Sequence, residues 1–148
     1  MKALSVRQPW TFAIVMGFKP VENRDWTRAH RGPTLIHAGK TAEHGNINPV
    51  LRQIADQACL PLKDVHALYH KHAATGAIVG RVNVVDCVTS HPSRWFYGPY
   101  GFILKDAEWC EPFTWRGQLG FFEVPDTVVE RLRFQRRTAA AAADLFAK

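Results

Sequence analysis

An α+β fold, a small mixed and mainly antiparallel sheet or barrel decorated with helices, is predicted by three observations. Short β-rich apolar runs and amphipathic runs of helical period both occur along the chain. The order is helix, strands, helices, strands, helix, with no internal repeat and no linker. The β-branched stretch GAIVGRVNVVDCV, residues 76–88, carries an internal glycine of the kind that bends a strand at a barrel corner. At 148 residues, 47% of them hydrophobic, the chain is the size of one domain able to bury its own core.

The elements follow in order. Pro9 suits a first helical turn and Gly17 a helix stop, so a short helix is expected from Pro9 to Met16. Pro20 disfavours helical backbone at Lys19, and VENRDW then reads as a strand or strand-like loop with Glu22, Arg24 and Trp26 on one face and Val21 and Asn23 on the other. RGPTLIHAGK is a short strand that alternates Leu35 and His37 against Thr34, Ile36 and Ala38. NPVLRQIADQAC, with an Asn48 cap, places Leu51, Ile54, Ala55 and Ala58 along one helical face, and KDVHALYHKHA is a second helix. After the long strand come GFILKDAEWC and GQLGFFEV. From Asp126 a closing helix with an Asp cap is expected, ending in a low-complexity alanine tract; residues 1–125 form the main domain and 126–148 a helix packed on it or extending from it.

Composition limits the partners. No apolar run reaches the roughly 20 residues of a membrane-spanning helix, and Arg7 and Pro9 interrupt the N-terminus before a signal-peptide core can form, so no membrane and a cytoplasmic address are expected. Three cysteines, Cys59, Cys87 and Cys110, without a CxxC pair suggest reduced, mostly buried thiols, and no metal or other cofactor is inferred. The net charge of +6 is uneven: residues 1–40 hold seven lysines and arginines against two acids. A basic excess attracts polyanions, so nucleic acid is the leading partner class, although a high isoelectric point alone also occurs without such a partner. No obligate protein partner is inferred.

The densest chemistry lies in GFKPVENRDW. Lys19, Glu22 and Arg24 sit between a helix stop and a strand, flanked by Trp10 and Trp26. As a bare pattern this is either a surface ion-pair cluster or a groove in which aromatic planes and cations meet single-stranded nucleic acid; core packing is the competing assignment for each tryptophan. In SVRQPW, Ser5, Arg7 and Gln8 offer phosphate or base contacts. Tyr97 and Tyr100 in WFYGPYGF can stack a base or close a turn, and RLRFQRR is either an accessory phosphate binder or an amphipathic helix with Leu132 docked. His66 and His70 lie one helical turn apart without the glutamate of HExxH and read as a solvated face.

The residues Gly17, Lys19, Glu22 and Arg24 match GxKxxExR, and with SVRQPW, RGPTLIHAGK, GAIVGRVNVVDCV, WFYGPYGF and GQLGFF the chain resembles the ASCH domain family of the PUA-like superfamily as far as about Val124. The resemblance implies a β-barrel with peripheral helices and a cleft into which the motif lysine opens. It also implies a nucleic-acid ligand, single-stranded RNA foremost, contacted by Ser5, Arg7, Gln8, Trp10, Lys19, Arg24, Trp26, Lys40 and Tyr97. In that cleft a metal-independent ribonuclease would use Lys19 and Arg24 to stabilise charge and Glu22 or His37 to carry protons, with a packed, backbone-bonded histidine as the competing assignment for His37. Some similar proteins are amidohydrolases that deacetylate N4-acetylcytidine with a lysine, a threonine and a glutamate; Lys19 matches the lysine, but Glu22 stands in place of the threonine.

Overall fold

The computed structural model describes residues 1–42 and 45–137. Six strands form one mixed sheet: β1 Lys2–Val6, β2 Val21–Arg24, β3 Gly32–Ala38, β4 Ala77–Val88, β5 Tyr100–Thr114 and β6 Phe121–Glu123, in the order β2-β5-β4-β3-β1-β6. Only β1 and β3 run parallel; the other neighbours are antiparallel. Among the described residues four helices accompany the sheet: α1 Trp10–Val15, α2 Asn48–Ala58, α3 Leu62–His72 and α4 Asp126–Val129. The predicted α+β class holds, as a half-barrel. β1 was not among the strands anticipated: five residues of KALSV make a weak signal, and they become a strand by pairing with β3 and β6 on either side.

The curl comes from irregularity in the two longest strands. Pairing between β4 and β5 shifts register at three places, one of them between Ile78 and Gly80, and extra residues at such points bend and twist a sheet. Gly80 cannot carry a side chain, because a Cβ there would drive into the Glu108 carbonyl oxygen and stand 2.8 Å from Val15 Cγ1. The bend expected at that glycine is therefore a place where helix α1 presses on β4 and β4 on β5. Curling brings the sheet edges together through side chains. Trp26 packs 5.5 Å from Phe102 of β5 and 5.7 Å from Phe121 of β6, and these two phenylalanines lie 5.5 Å apart.

Alternation along the strands sorts apolar residues into two clusters. Leu4, Ile36, Val82 and Phe102 join Phe12 and Ile14 of α1, Leu51 and Ile54 of α2, and Leu68 of α3 in the main core; Ala3, Leu35, Ile78 and Phe122 form a smaller one with Val124 and Leu132. Leu35 and Ile36 thus face opposite clusters, as the predicted alternation requires. Helix α2 buries Leu51, Ile54 and Ala55 as expected, but Asn48 is not its side-chain cap: Ile47 holds the N-cap position, and the Asn48 amide donates to Asn46 Oδ1.

The C-terminal expectation needs correction. Helix α4 stops at Val129, and Asp126 lies inside its first turn without capping it. RLRFQRR is not helical: Leu132 is buried in the smaller cluster, Gln135 exchanges two 2.8 Å backbone hydrogen bonds with Trp109 of β5, and the Arg137 side chain donates to the Met16 carbonyl at 2.7 Å. Arg81 lies 4.1 Å over Phe134 and Arg137 4.1 Å over Phe18. An extended strap gains these long-range contacts, which local helix propensity does not supply. The alanine tract lies outside the described residues. The thiols also differ from expectation: Cys59 is exposed and Cys87 half-buried, while Cys110 is buried and its thiol is pushed up to about 12, by burial first and by Glu111 second. No helix among the described residues is long and apolar enough to cross a membrane.

Candidate nucleic-acid interface

The end of α1 places the motif lysine. Gly17, at φ +81°, stops the helix, and the amides of Phe18 and Lys19 both donate to the Ala13 carbonyl at 2.9 Å, turning the chain back under the helix toward β2. From there Lys19 Nζ donates to Glu22 Oε1 at 2.9 Å. Arg24 Nη2 donates to Glu22 Oε2 at 2.9 Å and to the Ser5 carbonyl of β1 at 2.7 Å, bridging the two sides of the half-barrel. Burial by itself pushes the Glu22 carboxyl up, but the two cations and their hydrogen bonds offset this and hold it below the ordinary carboxylate range. Arg24 Nε is buried and makes no hydrogen bond.

This cluster forms the floor of a cleft of about 690 Å³ whose lining includes Ser5, Arg7, Trp10, Lys19, Glu22, Arg24, Trp26 and Tyr97. The expectation that the Lys19 ammonium opens to solvent is corrected. Lys19 borders the cleft but is only 3% exposed, because a charge without a partner at this depth would be costly and Glu22 supplies one. Among the outward-facing groups, which include the exposed Arg7 and Asp25, Tyr97 is 71% exposed at the rim, Trp10 and Trp26 are half-buried, and Trp26 carries Arg28 at 4.8 Å and Arg24 at 5.6 Å over its ring.

Three expected contributors lie elsewhere. Gln8 is 1% exposed and does not line the cleft: Oε1 accepts from the Phe12 amide at 2.9 Å and Nε2 donates to the Ala74 carbonyl at 2.9 Å, so the side chain satisfies the start of α1 and ties it to the end of α3. His37 is 2% exposed and belongs to a neighbouring hollow. Its Nε2 donates to the Trp115 carbonyl at 2.6 Å and its Nδ1 meets the Ser5 hydroxyl at 2.8 Å, the packed arrangement that competed with a proton-carrying role. Lys40, exposed at the end of β3, lines that hollow as well. Tyr100 opens β5 and does not line the cleft; His66 and His70 stack on α3 with ring centres 6.2 Å apart.

Some lining residues escaped the sequence reading. Asn23, on the face of β2 assigned with Val21, holds the turn that presents Tyr97: Nδ2 donates to the Trp95 carbonyl at 2.8 Å, and Oδ1 accepts from the amides of Tyr97 at 2.8 Å and Gly98 at 3.1 Å. The available signal was an amide on the inward face of an otherwise apolar alternation. Leu119, 99% exposed at the other rim, left no signal, because an isolated leucine in a glycine-containing loop is unremarkable by composition.

Comparison with known proteins places this geometry in context. The ASCH domain profile matches residues 4–121. Human "activating signal cointegrator 1" is 36% identical over 113 residues, 71% of this chain and 19% of that protein; the Mus musculus protein of the same name is 34% identical over 86 residues, 58% of this chain and 14% of that protein. The chain therefore spans less than a fifth of the length of these relatives. Crystal structures of two single-residue variants of an ASCH protein from Zymomonas mobilis superpose with TM-scores of 0.52 and 0.54. Both are 14% identical; each covers 89% of this chain, against 98% and 96% of theirs, a likeness of fold.

Proposed function

The chain belongs to the ASCH domain family, and from that premise we propose that its aromatic-walled cleft binds single-stranded nucleic acid, RNA foremost. One observation carries the reading. Trp10 and the exposed Tyr97 stand by a floor of Lys19, Glu22 and Arg24, next to Trp26, whose ring is packed on Phe102 and Phe121 and carries Arg28, so aromatic surface and charged groups converge on one space of about 690 Å³. A splayed nucleobase needs those two things together: a stacking surface for its face and donors or acceptors for its edge. The basic excess of the first forty residues adds long-range attraction for the backbone.

The reading is of binding in preference to strand scission. Glu22 has both oxygens engaged by cations and is held in its ionised form, which suits it to orient Lys19 and Arg24 and not to exchange protons. His37 has both ring nitrogens occupied and sits in the neighbouring hollow. Deacetylation of a modified nucleoside would require an amine free to act on an acyl group, whereas Lys19 Nζ is enclosed and donates to Glu22.

Fluorescence anisotropy with labelled single-stranded RNA, duplex DNA and N4-acetylcytidine, across a salt series and with RNA integrity followed on gels, tests the proposal. Wild type should bind single-stranded RNA tightest, with affinity falling steeply as salt rises. Tyr97→Ala, at an exposed rim position, should weaken binding on the order of tenfold while leaving the melting temperature in place. Equal affinity in wild type and Tyr97→Ala would remove the stacking role, and turnover of N4-acetylcytidine would replace the binding reading with the hydrolase.

A further inference from the structure

The cleft continues into a second hollow, of about 940 Å³, with which it shares Ser5, Gly39 and Leu119. The two halves differ in chemistry. The first has three aromatic walls and includes the carboxylates Glu22 and Asp25. The second contains the exposed cations Lys40 and Arg116, the half-buried Trp115 and, among the described residues, no carboxylate. Both cations are exposed, and neither forms an ion pair with any described residue.

The wall of this second hollow is built to hold its shape. His37, inside β3, pins the segment that follows β5 by its hydrogen bond to the Trp115 carbonyl and ties it to Ser5 of β1. Gly117 fits against that pair only as glycine, since a Cβ there would lie 2.5 Å from Ser5 Oγ and 2.7 Å from His37 Cε1. Arg116 is thereby carried on a braced segment and lines the hollow together with Lys40, which follows β3. Two exposed cations and, among the described lining residues, no carboxylate suit the hollow to a phosphodiester, whose charge is indifferent to sequence.

We propose that this second hollow is a phosphate subsite contiguous with the base cleft, so that the ligand unit is a dinucleotide or longer strand crossing over Ser5, Gly39 and Leu119, and not a free nucleoside. The proposal rests on the nucleic-acid reading of the first cleft. His37 acts in it as a positioning residue for the 115–117 wall.

The test compares cytidine, cytidylyl-cytidine and a single-stranded oligoribonucleotide on wild type, Lys40→Ala, Arg116→Ala and the double variant, by calorimetry or anisotropy across a salt series. Loss of two phosphate contacts should lower oligonucleotide affinity on the order of tenfold and reduce the slope of log affinity against log salt by about 1.4. Cytidine binding should be unchanged. Unaltered oligonucleotide affinity and slope in the double variant, with wild type binding normally, would overturn the subsite and spare the base cleft. An equal loss for cytidine would also overturn it, by showing that the two residues act on the cleft as a whole. Failure of wild type to bind any oligonucleotide would bring down both readings together. If the double variant melts early, the single variants decide the matter at half the slope change.

Discussion

Lys19 and Lys40 border adjoining hollows and are treated in opposite ways. Lys19 is 3% exposed and hydrogen-bonded to a carboxylate that is itself 6% exposed; Lys40 is solvent-facing and makes no ion pair with a described residue. The first ammonium is part of the scaffold that shapes the cleft floor. The second is surface charge available to a ligand. Two lysines expected to meet the same ligand are thus used differently, since burial decides whether a charge is spent inside the protein or offered outside it.

The largest test of this difference is Lys19→Ala. Removing one partner leaves Glu22 buried beside Arg24 alone, and a loss of about 3 to 5 kcal/mol is expected, read by denaturant or thermal unfolding. A Lys19→Ala protein that melts like wild type would break the comparison at its root. Next in size is His37→Ala, which leaves the Trp115 carbonyl and the Ser5 hydroxyl without their partner and opens a small void; about 2 to 3 kcal/mol should be lost. The same variant should loosen the 115–117 segment, seen as faster amide exchange there, with less effect around Tyr97. Uniform loosening of both rims would show that the two hollows are not separately braced.

The acid limb sharpens the contrast further. Because the folded Glu22 carboxyl sits below its ordinary value near 4.5, the unfolded chain binds more protons in that window. The stabilisation from this group is present above that value and is lost as pH falls through the folded one. Wild type should therefore lose stability on acidification more steeply than Glu22→Gln, measured as melting temperature against pH; parallel curves would show that the carboxylate is not held by its neighbours. Smallest is the expected change in stability for Lys40→Ala, within about 0.5 kcal/mol, as for an exposed charge without an ion pair among the described residues. A larger loss would mean that Lys40 is structural too.

Much of the framework could be read from the chain, and the reasons are local. Gly17 and Pro9 bound α1 because one tolerates positive φ and the other suits a helix start, and the alternation of Leu35, Ile36, His37 and Ala38 marks β3 because a strand flips its side chains at every residue. Gly80 marks the bend for a similar reason. The failures are non-local. RLRFQRR has helical spacing, yet it runs extended where Gln135 meets Trp109 and Arg137 reaches Met16. Gln8 reads as a surface amide and is instead consumed by Phe12 and Ala74; the second of these lies 66 residues away.

A resemblance along most of the sequence pointed to the family, and spacing and composition over short distances determined the α+β class, the residues of the Lys19–Glu22–Arg24 cluster and the basic bias of the first quarter. Which charges are hidden, which are offered to a ligand and which aromatic faces stand open were decided only by the curled sheet. It brings β1 beside β2, buries Lys19 against Glu22, and sets His37 and Lys40 in a separate hollow. The physical reason is that burial and charge pairing depend on neighbours supplied from distant parts of the chain, and no local pattern specifies those neighbours.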